Sequence, residues 1–149
     1  MMQSDFEIQC FLPYLLAQAA EVSSLTFQQV YKNRYGILRT EWRVLFHLGL
    51  YGEMSASEIG QRAKIHKTKI SRAVQRLTER RFVERALDNA DRRVTRLTLT
   101  KQGRAAYDDL HSVAERYETS LLKQLDPDEA ALLRRALVKL GGTTPVDFT

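Results

Sequence analysis

Hydrophobic and polar positions near the middle of the chain follow a helical pattern over residues 67–81. Ile70, Val74 and Leu77 recur at steps of four and three, which places them on one side of a helix. The opposite side carries cations at helical spacing, namely Lys69, Arg72, Arg76 and Arg80. A solvated face usually mixes both signs of charge, whereas this one has almost no acid before Glu79. The pattern therefore predicts a helix with one face on a core and a cationic outer face.

A shorter helical pattern precedes this one and begins at Ser55. Ser55 and Glu58 have the three-residue spacing of an N-terminal cap, and Met54 before them fits a short strand. Residues 64–66 are a tight turn in which Ile65 is expected to fill the angle between the two helices. Two short helices joined in this way are a helix-turn-helix.

Alternating patterns follow the second helix. Residues 82–87 and 94–99 each alternate apolar and polar positions, and the polar cluster 88–93 lies between them. Two such runs around a polar loop predict a β-hairpin. A hairpin directly after a helix-turn-helix is a wing, and the tip of this one carries Arg92 and Arg93.

Helical patterns also lie before this region. A capping-box spacing at Ser4 predicts a helix start, and the pattern continues to about Lys32, with Pro13 either kinking the helix or marking its true beginning. Residues 33–36 are predicted to break it. Thr40 is the expected cap of the next helix, although the acid of a full capping box is missing.

After the hairpin, Thr100 is predicted to cap a long helix that reaches about Gln124. Its apolar residues form a narrow seam: Ala106, Leu110, Val113, Tyr117 and Leu121. Asp126 and Pro127 then open a last helix, which residues 141–142 are expected to stop.

These elements predict a mainly α fold with a small β-hairpin, in a single domain over residues 1–149. Within it, residues 37–100 form a winged helix-turn-helix module that can close its own core. The helices in 4–34 and 100–141 carry apolar stripes that this core cannot cover. We expect them to interleave with a second copy as a dimerisation region; a monomer with folded-back helices is the alternative.

Composition narrows the choice of partner and compartment. A net charge of +5 favours an acidic partner, with nucleic acid ahead of a membrane surface. Cys10 is the one cysteine, so no internal disulfide can form. The N-terminal residues lack the basic region of a signal peptide, and the apolar runs are too short to cross a bilayer. These features predict a cytoplasmic protein.

Three stretches resemble the MarR family of bacterial transcriptional regulators. Residues 91–104 are similar to the wing signature of the family, residues 67–72 to its recognition helix, and residues 38–45 to the segment before the DNA-binding module. The resemblance implies a homodimer on a pseudo-palindromic operator in double-stranded DNA. Each recognition helix would enter a major groove and each wing a minor groove. It further implies that Asp91 braces the wing by pairing with Arg93.

The DNA-contacting residues are assigned by chemistry. Candidates for base contacts are Thr68, Ser71, Arg72, Gln75 and Arg76. Candidates for phosphate or groove charge are Lys67, Lys69, Arg80 and Arg92, with Arg92 or Arg93 reaching the minor groove. We expect a repressor, which is the usual mode of the family.

Two kinds of control signal are considered. Family members often bind small aromatic acids, and a pocket for an aromatic or phenolic effector would here be lined by Tyr31, Trp42, Arg43 and His47. Some members sense hydroperoxides through one cysteine, a role for which Cys10 is the candidate; the alternative is a small buried hydrophobe.

Other function classes find little support in the residues. No phosphate-binding glycine loop, nucleophile elbow or metal-ligand spacing is present, so neither an enzyme, a cofactor nor a metal is expected. The remaining alternative is a winged-helix module that binds another protein instead of DNA.

Overall fold

The computed structural model describes residues 6–142, which contain six α-helices and three β-strands. A 3-10 turn over Ile8–Cys10 comes first. The elements are α1 (Leu12–Tyr35), α2 (Arg39–Tyr51), β1 (Met54–Ser55), α3 (Ala56–Ala63), α4 (Lys67–Glu79), β2 (Val83–Leu87), β3 (Thr95–Leu99), α5 (Lys101–Leu122) and α6 (Pro127–Gly142). The mainly α fold with a small antiparallel sheet is therefore confirmed.

The first helix begins and ends later than predicted. Pro13 lies in its first turn, where the missing N–H costs nothing, so Pro13 marks the beginning and does not kink the helix. The predicted cap Ser4 lies outside the described residues. The predicted break at residues 33–36 is placed too early, because residues 33–35 continue the helix and only Gly36 ends it. Gly36 ends it in the left-handed region at φ 64°, a conformation that costs glycine nothing.

The predicted cap of α2 at Thr40 is also wrong. Leu38 holds the cap position, and its backbone N–H donates to the carboxylate of Glu41 at 3.1 Å. Thr40 is the second residue of the helix. The acid half of a capping box operates here with an apolar residue in place of serine or threonine, and Glu41 is buried as a result.

The three strands form one antiparallel sheet in the order β1-β3-β2. Met54 pairs with Leu97, and Val83 pairs with Leu99. The short strand predicted at Met54 is therefore an edge strand that joins the hairpin to the start of α3. Leu97 and Val83 are buried, whereas Leu87 near the hairpin tip is exposed. The wing is thus anchored at its base and open to solvent at its tip.

The chain divides into two compact units at Ala114. The first unit holds a core to which α1 to α5 and the sheet contribute, with Leu45, Ile59 and Leu77 among its fully buried side chains. A Cβ at Gly103 would lie 2.0 Å from the carbonyl oxygen of Phe82, so only glycine permits this approach of α5 to the start of β2.

The second unit contains the end of α5 and α6. In it, the backbone N–H of Asp126 donates to Glu129, and Arg134 pairs with Glu118 at 3.1 Å. α6 includes both Gly141 and Gly142, and Gly142 is the last described residue, so the stop at residues 141–142 stays a prediction. No helix within residues 6–142 has the length and apolar character that crossing a membrane requires.

Candidate nucleic-acid interface

The helix-turn-helix is built by three local devices. Ser55 Oγ accepts from the backbone N–H of Glu58 at 3.1 Å, which is the predicted cap of α3. Lys64 ends α3 in the left-handed region at φ 56°. His66 then caps α4, because its Nδ1 accepts from the N–H of Thr68 at 3.2 Å. Ile65 is only half-buried at the junction that it was expected to fill.

The two faces of α4 differ as predicted. Ile70, Val74 and Leu77 are buried, as is Ala73 between them. The outer face is exposed along its whole length and presents Lys67, Thr68, Lys69, Ser71, Arg72, Gln75 and Arg76. The helix therefore offers solvent a row of cations flanked by hydroxyl and amide groups.

Gln75 differs from its neighbours because its amide already has partners. Its Nε2 donates to Glu79 at 2.7 Å, and its Oε1 accepts from Arg85 on β2 at 3.1 Å. A base contact by Gln75 would require these bonds to open. Arg85 was not predicted as part of this surface, although its polar position in the alternating run 82–87 was a signal for it.

Arg80 does not share the free outer face. Its guanidinium donates to the carbonyl oxygens of Tyr35 and Gly36 at the end of α1, and it lies over the ring of Phe82. Arg80 is also the C-terminal cap residue of α4 and not part of the helix interior. Sequence spacing alone had grouped it with Lys69, Arg72 and Arg76.

The wing tip is organised by two aspartates. Asp91 accepts from the N–H and Nε of Arg93 at 3.0 and 3.1 Å, which is the pairing that the resemblance implied. Asp88 accepts from the N–H of Ala90 at 2.7 Å and forms the turn. The side-chain bond from Arg93 lowers the pKa of Asp91, and the N–H of Ala90, followed by Arg96, lowers the pKa of Asp88. Arg92 and Arg93 are exposed.

Arg96 ties the wing to the helix-turn-helix. It donates to Asp88 at 3.1 Å and to Glu58 on α3 at 2.8 Å. Glu58 had been predicted as the acid of a capping box, and its carboxylate serves this ion pair. The hydrogen bond that Arg96 donates to Asp88, followed by the charge of Glu58, raises the pKa of Arg96. Spacing along the chain carried no signal for this contact, because Glu58 and Arg96 are distant in sequence.

The four residues predicted for an effector pocket separate into two pairs. Tyr31 and Trp42 lie in an aromatic cluster with centroids 5.8 Å apart, and Phe27 and Phe46 contact Trp42 edge-on. The hydroxyl of Tyr31 is buried and has no hydrogen-bond partner among the described residues. Burial raises the pKa of Tyr31.

Arg43 and His47 lie on another side of α2. Arg43 donates to the carbonyl oxygen of Ala63 at 2.6 Å, and burial, with Arg39 second, lowers its pKa. His47 Nδ1 lies 2.6 Å from the carbonyl oxygen of Arg43. Arg43 thus contacts the end of α3, whereas the bond of His47 lies within α2.

Cys10 lies in the 3-10 turn before α1 and is exposed in the single chain, whereas the alternative expectation was a small buried hydrophobe. The hydroxyl of Tyr14, the nearest tyrosine along the chain, accepts from Gln18 at 2.8 Å. Within residues 6–142, no group of three or more His, Cys, Asp or Glu side chains could hold a metal ion.

A known family model matches the middle of the chain. The MarR family model matches residues 35–94, which contain the helix-turn-helix, β2 and the wing tip. The HTH-type transcriptional regulator YwaE of Bacillus subtilis is 24% identical over 106 residues, which are 71% of this chain and 62% of that protein. The chain thus spans less than two thirds of the length of this relative.

Solved structures share the fold over nearly the whole chain. BpsR of Bordetella bronchiseptica, whose DNA binding is regulated by 6-hydroxynicotinic acid, superposes with a TM-score of 0.85 at 24% identity, covering 95% of this chain and all of its own. A mutant MarR from E. coli complexed with operator DNA gives 0.81 at 22% identity, with 93% and 99% covered. The segment that resembles the MarR family contains the helix-turn-helix, β2 and the wing tip, and the whole fold is similar to that of these winged helix-turn-helix structures.

Proposed function

We propose that this protein is a homodimeric DNA-binding regulator, a repressor that holds a pseudo-palindromic operator and is released by a small effector. One observation carries the proposal: the outer face of α4 is exposed and cationic, while its inner face is fully committed to the core. A polyanion is the partner that such a face attracts most strongly. The similarity of the fold to E. coli MarR, which was crystallised in complex with operator DNA, supports the same function.

The contacts follow from the positions of the side chains. Thr68, Ser71, Arg72 and Arg76 are exposed and suited to base edges in the major groove. Lys67 and Lys69 lie near the start of α4 and suit phosphates. We leave Arg80 out of this set because its guanidinium is already held by backbone carbonyls. Gln75 stays in the set of base contacts, but its hydrogen bond to Glu79 must break before it can contact a base.

The wing supplies the second cationic site. Asp91 holds Arg93 in place, and Arg92 extends freely from the same turn. A narrow minor groove concentrates negative potential, and an arginine inserted there gains from it. We assign Arg92 to that groove, with Arg93 positioned beside it by Asp91.

Exposed apolar side chains support a dimer. In the first unit, Phe11, Leu12 and Leu15 are exposed at the start of α1, and in the second unit Leu133 and Leu137 are exposed on α6. Apolar stripes of this kind favour burial against a second copy of the chain. A two-fold dimer would place its two recognition helices on half-sites about 10 base pairs apart. We propose that residues 4–34 and 100–141 supply this dimerisation region around the module of residues 37–100.

The effector is proposed to be a small aromatic or phenolic compound. The structurally similar BpsR responds to such a compound, since 6-hydroxynicotinic acid regulates its DNA binding. In this chain the aromatic cluster around Trp42 and the unpartnered hydroxyl of Tyr31 suit such a molecule. Cys10 is kept as a second proposed signal input through oxidation, because it is exposed. We expect the protein to act in the cytoplasm, at the nucleoid.

Fluorescence anisotropy with labelled duplexes from the intergenic DNA beside its own gene tests the proposal. With 6–10 phosphate contacts, the affinity should fall about 10³- to 10⁵-fold between 50 and 200 mM salt. Absence of binding to all such duplexes at low salt would favour the alternative of a protein-binding winged helix.

A matched pair of variants tests the assignment of residues on α4. Arg72→Ala should cost about 1–3 kcal/mol on the preferred duplex and reduce sequence preference. Lys69→Ala should weaken preferred and random duplexes alike and lower the salt slope. An Arg72→Ala variant with unchanged affinity and preference would show that α4 is docked differently.

A further inference from the structure

The ends of α1 and α4 meet at a junction that the DNA-binding proposal does not use. Arg80 Nη1 donates to the carbonyl oxygen of Gly36 at 2.7 Å, and Nη2 donates to that of Tyr35. These carbonyls belong to the last turn and cap of α1, where no partner is available within the helix. The cation therefore lies at the negative end of the α1 dipole, where it is most favourable.

The direction of Arg80 follows from the way α4 ends. Phe82 N–H donates to Leu77 and Arg81 N–H to Thr78, the two bonds of a Schellman motif, with Arg81 in the left-handed region at φ 64°. This motif turns the chain sharply into β2 and places the ring of Phe82 under the guanidinium of Arg80. Arg80 is thus held by a ring on one side and by two carbonyls on the other.

The junction continues into α5 through α1. The hydroxyl of Tyr35 donates to Asp109 at 2.5 Å, and Arg34 pairs with the same carboxylate at 3.0 Å. Burial, followed by the bond to Asp109, raises the pKa of Tyr35 to about 12, so it stays a donor at neutral pH. Tyr35 therefore connects α5 through its hydroxyl and α4 through its carbonyl.

We propose that Arg80 is a positioning residue that ties the end of the recognition helix to α1, and that it touches no phosphate. The proposal rests on the DNA-binding function proposed above. Base readout needs α4 at a defined angle, whereas attraction to phosphates does not. Loss of the tie should therefore reduce specific binding selectively, and retention of the positive charge alone should not restore it fully.

The experiment compares Arg80→Gln with Lys69→Gln, which removes the same charge from the free face. Anisotropy titrations would use the preferred intergenic duplex and a random duplex, over a range of salt and well below each melting temperature. Arg80→Gln should lower affinity for the preferred duplex on the order of tenfold, as for one lost base contact. Its affinity for the random duplex and its salt slope should match the wild type.

Lys69→Gln should behave in the opposite way. In a dimer it removes two phosphate contacts, so the slope of log affinity against log salt should fall by about 1.8, with equal losses on both duplexes. Arg80→Lys, which keeps the charge but loses the two-pronged donor, should lie between the wild type and Arg80→Gln in specificity, at the wild-type slope.

Partial unfolding by Arg80→Gln would lower the affinity for both duplexes by the same factor, so the ratio between them distinguishes positioning from general damage. The proposal is overturned if Arg80→Gln lowers the salt slope as Lys69→Gln does, if both duplexes weaken equally, or if neither affinity changes. Failure of the wild type to bind any duplex would instead remove the DNA-binding function and this role together.

Discussion

The winged module and the last helix use similar apolar periodicity with opposite results. In the module, Ile59, Ile70 and Leu77 are buried to within 1% of their surface by elements of the same chain. In α6, Leu133 and Leu137 recur at helical spacing but remain 46% and 42% exposed in the single chain. The difference indicates that one copy completes the core of the module, whereas α6 needs a further surface to cover its apolar side.

The largest expected effect comes from opening the core of the module. Leu77→Ala removes a fully buried side chain and should lower the free energy of unfolding by about 2–5 kcal/mol, because a cavity adds to the lost transfer energy. Denaturant unfolding measures it. Leu132→Ala on exposed α6 is the control and should change stability by no more than about 0.5 kcal/mol. If Leu77→Ala and Leu132→Ala lowered the free energy of unfolding equally, the two regions would not differ in how their apolar residues are buried.

The second effect concerns assembly. The double variant Leu133→Lys, Leu137→Lys places charge on the exposed apolar side of α6 and should convert a dimer into a monomer, because a charge desolvated at an interface is costly. Sedimentation equilibrium gives the mass. The secondary structure of the module should persist by circular dichroism. A wild-type monomer at micromolar concentration, or a dimer that survives both charges, would contradict the role of this face.

A smaller gain is expected at the end of the recognition helix. Arg81 adopts φ 64°, a conformation that costs a residue with a Cβ roughly 1 kcal/mol, so Arg81→Gly should raise the melting temperature. Lys64→Gly, at φ 56° on α3, is the matched variant and should act in the same direction. A lower melting temperature in both variants would mean that the side chains stabilise these turns by more than the backbone strain.

The smallest effect concerns the pH dependence of the wing. Partners in the folded chain lower the pKa values of Asp88 and Asp91. Their stabilisation is therefore complete above the unfolded value of about 3.9 and is lost as pH falls through the lower folded values. The protection of the amides of residues 88–94, measured against their intrinsic exchange rates, should fall in that acidic range. Asp88→Asn should flatten this dependence, and an unchanged profile would show that the ion pairs do not order the tip.

Local signals explain most of the correct predictions. Ser55 and Thr100 cap their helices with oxygens three residues from the N–H groups that they accept, so the relevant geometry is contained in four consecutive residues. The wing turn at residues 88–93 is equally local. The same rule gave the wrong cap at Thr40, because the carboxylate of Glu41 accepts from the backbone N–H of Leu38 and so caps the helix without a polar cap residue.

The contacts that sequence reasoning missed at the candidate interface have a nonlocal cause. Arg80 has the spacing of the cationic row, yet carbonyl oxygens far along the chain take its guanidinium. Arg96 is likewise directed by Glu58, a residue on another element. A cation at a given helical position can serve either solvent or backbone acceptors, and only packing shows which acceptors come within reach.

By itself the sequence determined the helix-turn-helix, the hairpin that follows it, and the resemblance of this segment to the MarR family. Tertiary structure decided which cations remain free, where α1 ends, and which predicted pocket residues share a cluster. The physical reason is the separation along the sequence between the residues that form each kind of contact. Caps, turns and periodic faces depend on neighbours within a few residues, while ion pairs, carbonyl contacts and aromatic clusters depend on elements that meet only after the chain has folded.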